Sequence, residues 1–143
     1  MCGAIDPDAR LFVFFDGVSG GSANIWQVNV DTGAFREVTS AAAANGCASL
    51  LQTMSGYPGV AYDPTRKTLV VYPGTAGDTV YDYDAATATC TSATYPNGPS
   101  SGSSGAAKGI TGRFRYVPGR SAYVVVTGSD QPAFALCRQS GGC

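Results

Sequence analysis

The chain has 143 residues, 44 % of them apolar and only 13 % charged, with Lys+Arg 9 against Asp+Glu 10. That length fits one domain, and so even a charge balance excludes partners selected by field strength, such as nucleic acid or an acidic membrane surface. Histidine is absent, which removes Ser-His and Cys-His nucleophile pairs, His-ligated metals and the usual neutral-pH general base.

In chain order, Cys2 to Ile5 reads as a short inner strand. Pro7 presets a turn, and Leu11-Phe12-Val13-Phe14-Phe15 has the aromatic and β-branched content of a buried strand that closes on Gly17. Gly17-Val18-Ser19-Gly20-Gly21 joins two antiparallel strands and does not open a helix, so it is a hairpin loop and not a phosphate cradle. Ile25 to Asp31 alternates as a half-buried strand does, and Ala34 to Thr39 supplies an outer strand. Ser40 to Gly56 is Ala-rich and is expected to be a surface connection, because Gly46 weakens the alternative of a helix over 41–54.

The pattern then starts again. Ile5-Asp6-Pro7 aligns without gaps on Tyr62-Asp63-Pro64 at an offset of 57 residues, and a third copy around Val117-Pro118 follows 54 residues later. All three copies carry Pro and then Gly at a separation of ten. In the second copy Leu69 to Tyr72, Val80 to Asp84 and Ala88 to Thr94 repeat the strand order. After the Pro/Gly/Ser-rich stretch Tyr95 to Gly112, the third supplies Gly112 to Val117, Ala122 to Val126 and Ala133 to Arg138. The expected fold is all-β, three four-stranded antiparallel meander blades of a partial β-propeller in one domain, with repeats over 1–40, 57–94 and 112–138.

The residues Val60-Ala61-Tyr62-Asp63-Pro64, Leu69-Val70-Val71-Tyr72-Pro73-Gly74 and Val80-Tyr81-Asp82-Tyr83-Asp84 resemble the kelch and galactose-oxidase-like β-propellers. Paired kelch glycines are reduced to single Gly17, Gly74 and Gly128, and the Trp expected after the turn is replaced by Phe35 and Cys90. The resemblance implies copper held by His and Tyr in the oxidases. With no histidine to match, that activity does not carry over and no cofactor is expected.

Three blades cannot close a ring, which takes about four to eight. Two apolar end faces and an open strand edge at Ala133, Phe134, Ala135, Leu136, Cys137 and Arg138 are therefore expected to seek a partner, with Cys2 and Cys143 placed to lock neighbouring copies. Cys47 and Cys90 sit where a blade-to-loop staple would form, and Cys137 and Cys143 where a small loop would close; spacing alone sets neither. Abundant Ser, Thr, Tyr and Gly with five cysteines points to an extracellular compartment. There is no basic-then-apolar leader and no apolar run of membrane-spanning length.

Asp78, Asp82 and Asp84 lack the glycine and bidentate glutamate of a calcium loop and read as a solvated strand face, so no metal is expected. Arg113, Arg115 and Arg120 are expected to pair with nearby Asp. Trp26 and Tyr116, on strands, read as wedges between blades. Tyr57 and Tyr95, in loops, are the candidates for stacking on a glycan ring. The function expected is a non-catalytic, self-assembling structural role whose partners are copies of the chain itself; the alternative is a glycan- or protein-binding module.

Overall fold

Turns centred on Pro7, Pro64 and Pro118 set the strand boundaries close to where the sequence pattern puts them. The computed structural model describes residues 2–16, 23–54, 58–73, 78–95, 113–126 and 132–138. A four-stranded antiparallel meander comes first, with β1 (Cys2–Asp6), β2 (Leu11–Asp16), β3 (Asn24–Asn29) and β4 (Phe35–Glu37). The second repeats it as β5 (Gly59–Asp63), β6 (Thr68–Tyr72), β7 (Thr79–Asp84) and β8 (Thr89–Thr94). The third has three strands, β9 (Phe114–Val117), β10 (Ala122–Val126) and β11 (Ala133–Cys137). Four strands are expected in every unit; among the described residues the third sheet has three, the three runs read for it in the sequence. Among the described residues the three sheets form no closed barrel or ring.

The repeat is written into the backbone as well as the side chains. Arg10, Lys67 and Ser121, at matching positions before the second strand of each sheet, all adopt positive φ (58°, 57° and 45°). Non-glycine residues enter this region only where the surrounding structure holds them. What holds the first two is a buried carboxylate. Asp6 Oδ1 accepts the amides of Asp8 (3.0 Å) and Ala9 (2.9 Å), and Asp63 Oδ1 accepts those of Thr65 (2.9 Å) and Arg66 (3.1 Å). The third copy has Val117 at this position. There Pro118-Gly119 makes the turn instead, with Gly119 at φ 78° and the Arg120 amide donating to the Val117 carbonyl at 3.3 Å.

The connection after β4 is helical, which corrects the expected surface loop. Two short helices, α1 (Thr39–Ala42) and α2 (Ala48–Thr53), are joined by a wider π-type segment over Ala43–Cys47. Ala42, Cys47, Leu50, Leu51 and Met54 bury themselves in the first core, and this burial outweighs the local cost of Gly46. The glycine is required where it stands. At φ 91°, a Cβ on residue 46 would lie 2.8 Å from the Cys90 carbonyl oxygen. That close approach brings Cys47 to Cys90, and the two form a disulfide with Cα atoms 4.8 Å apart.

The sheets stack face to face, with the second in the middle. Successive side chains of a strand point to opposite faces, and β6 shows what that does here. Leu69 and Val71 join the core shared with the first sheet, while Val70 and Tyr72 join the core shared with the third. β5 lies beside both β1 and β9, so the first strands of the three sheets are neighbours.

Candidate functional site

The register of each sheet assigns every residue to one of two faces, and the assignment is the same in all three. On the side turned toward the preceding sheet, Tyr81 and Tyr83 of β7 oppose Val71 and Leu69 of β6, and Phe134 and Leu136 of β11 oppose Val125 and Tyr123 of β10. Trp26 and Val28 of β3 stand at the same positions, opposite Phe14 and Phe12. In the second and third sheets these residues pack on the sheet before. In the first sheet, where nothing described precedes, they lie on an outer face.

That outer face is aromatic. Trp26 and Phe35 stack with ring centroids 4.9 Å apart, Phe14 stacks on Phe35 at 6.0 Å and on Trp26 at 6.3 Å, and Phe12 lies 5.8 Å from Phe14. Ile5 is 54 % and Phe35 57 % exposed, so water meets a contiguous apolar surface instead of a scatter of single residues. Trp26, expected as a wedge between blades, lies on this outer face, whereas Tyr116 packs between the second and third sheets as expected. The opposite end of the stack presents Val124 and Val126, half-buried, with Ala133 and Ala135 exposed beside them.

Of the expected interface residues, Phe134 and Leu136 pack inward against the second core, and Arg138 follows them on the same side. Its side chain is 4 % exposed, and its Nη1 and Nη2 each donate to Asp82 at 2.6 Å. This corrects the reading of Asp82 as a solvated strand position. Asp82 is 14 % exposed, while Asp84 accepts the turn amides of Ala86 (2.8 Å) and Thr87 (3.2 Å). Tyr95 lies beneath the Arg138 guanidinium, 5.9 Å from ring centroid to Cζ. Cys2 is buried in β1, and Cys137 is disulfide-bonded. Tyr57 and Cys143 lie outside the described residues. Carboxylates pair with Arg10, Arg66, Lys67 and Arg138. Of the arginine cluster singled out from sequence, Arg115 lies on β9 and Arg120 in the turn that follows it. β11 is the edge of its sheet, paired on one side with β10 and, among the described residues, with nothing on the other.

Between the sheets several buried polar groups pair across the gap. Gln27, fully buried, donates to Tyr83 Oη (2.9 Å) and the Ala85 carbonyl (2.8 Å) and accepts from Arg36 Nη2 at 2.7 Å. Tyr123 donates to Asp63 at 2.7 Å, and Tyr62 donates to Asp8. These hydrogen bonds tie one sheet to the next and leave few buried polar groups to do chemistry. The hollow bounded by Ala9, Gln27, Asn29, Thr32 and Arg36 has Gln27 already committed in this way.

Burial pushes the Tyr83 hydroxyl from 10.0 up to about 12, against the opposing pull of the Gln27 hydrogen bond. Burial raises Tyr123 and Tyr62 as well, aided by the Asp63 and Asp8 carboxylates that they face. The unfolded chain releases these protons near pH 10 while the fold retains them, so their contribution to stability is full below pH 10 and is lost as pH climbs toward 12. An absorbance titration near the phenolate band is expected to show part of the tyrosines ionising late and together with loss of the fold; ordinary titration of all eight in a folded chain contradicts this.

Compared with family models, curated proteins and solved structures, the chain matches none. The two outer faces are the apolar surfaces that the described sheets leave open. Among the described residues no helix is long and apolar enough to cross a membrane.

Proposed function

We propose that this chain is a partial β-propeller of kelch-like type, extracellular and non-catalytic, that assembles with copies of itself through its end sheets. One observation carries the reading: the middle sheet is apolar on both faces and covered on both, while the first sheet has the same two-sided composition and leaves one side to water. Apolar surface in contact with water at about 25 cal/mol per Å² favours association. Three stacked meanders with adjacent first strands support the propeller part of the reading. The Cys47–Cys90 disulfide supports an oxidising compartment.

A second reading, glycan recognition, is favoured by the near-parallel Trp26 and Phe35 rings, 15° apart. One experiment separates the two. Trp26 is the chain's single tryptophan and stands on the face in question, so its emission is expected to shift to shorter wavelength with protein concentration, in step with an increase in mass by light scattering. A monomer at every concentration, with emission that responds to soluble oligosaccharides, overturns self-assembly and favours the second reading.

A further inference from the structure

The two exposed end faces are not merely apolar; they are opposite halves of a contact that the molecule already makes twice. Val124 and Val126 stand in the third sheet where Val70 and Tyr72 stand in the second and Val13 and Phe15 in the first. In those two sheets these residues pack on the sheet that follows. Phe12 and Phe14 stand where Leu69 and Val71, and then Tyr123 and Val125, pack on the sheet that precedes. The halves also differ in bulk in a complementary sense. Ala133 and Ala135 occupy the places of Val80 and Asp82 and put small side chains on the third sheet's outer face, while Trp26, Phe12 and Phe14 put large ones on the first sheet's outer face.

We infer that the occupant of the aromatic face is the third sheet of a second copy, joined head to tail, so that the contact between chains repeats the contact between sheets. This rests on the self-assembly proposed above and adds its polarity. A face-to-face pair of first sheets would set Trp26 and Phe35 against their own counterparts, bulk against bulk, and would leave Val124 and Val126 in water. The head-to-tail contact covers both faces in every junction. Because it is heterologous, the assembly closes into a ring if the rotation per copy permits and otherwise extends.

Single charge-introducing substitutions test the polarity. Phe12→Asp blocks one face and Val124→Asp the other, each desolvating a carboxylate at the junction and weakening association by at least about 100-fold. Each variant alone is expected to be monomeric at concentrations where the unaltered chain assembles. Mixed in equal amounts, the two are expected to form a one-to-one dimer, since each keeps the face that the other has lost. Phe35→Asp, at a more exposed position, serves in place of Phe12→Asp if that variant fails to fold. Assembly of the unaltered chain that survives Val124→Asp and is abolished by Phe12→Asp means a face-to-face pair and overturns the polarity while leaving self-assembly standing. A monomeric unaltered chain overturns both. If its Trp26 emission then shifts only when further repeats are fused ahead of β1, the face belongs to a neighbouring repeat of one polypeptide.

Discussion

Reduction of the Cys47–Cys90 disulfide is expected to destabilise the chain by about 4 kcal/mol, the chain-entropy value for a closed loop with this separation of 43 residues. Against a total of about 5–15 kcal/mol for a domain of this kind, that is a large share. The bridge ties the segment between α1 and α2 to β8. Its loss releases the helices whose Leu50, Leu51 and Met54 complete the first core. Denaturant unfolding of the oxidised protein and of a Cys47→Ala/Cys90→Ala variant measures the effect. An unchanged midpoint would mean that packing of the helices alone holds the connection.

Asp82→Ala is expected to cost about 3–5 kcal/mol, because it strands the Arg138 guanidinium in a site where that side chain is only 4 % exposed. Arg138 Nε already has no partner there among the described residues, and the Tyr95 ring beneath the guanidinium offers a face but no countercharge. Replacing both partners together, as Asp82→Leu/Arg138→Leu, is expected to recover most of the loss, since an apolar pair of similar bulk needs no compensating charge. Hydrogen exchange of the β10 and β11 amides in the single variant locates the effect: faster exchange confined to the third sheet is the expected result, and uniform acceleration through all three sheets would refute the local account.

Much of the fold could be read from the residues because the repeat is carried by turns, and turn chemistry is local. Pro7, Pro64 and Pro118 mark the hairpins, and the unbroken apolar runs Leu11 to Phe15 and Leu69 to Tyr72 mark strands with two apolar sides. The helical connection was legible only as the alternative to a surface loop, because Ala41 to Ala44 and Gly46 carry no amphipathic period of their own; what makes them helical is the first core waiting for Leu50 and Leu51. The Asp82–Arg138 pair joins residues 56 apart in sequence, and alternation along β7 identifies which side Asp82 faces but not what stands opposite. The sequence offers Cys47 and Cys90 as a blade-to-loop staple, and the disulfide forms there, although spacing alone does not fix the pairing. Open end faces followed from counting repeats. Their equivalence to the internal contacts required the register, which moves every side chain to the other face if it slips by one residue.

Arg10, Lys67 and Ser121 take up the same left-handed conformation at one place in each unit, so the corner recurs even where Val117 replaces the carboxylate that braces the first two. Tandem duplication of the middle sheet, whose two faces each already meet a neighbour, is expected to add one more contact of the same kind, with thermal stability rising with copy number as in quasi-one-dimensional arrays.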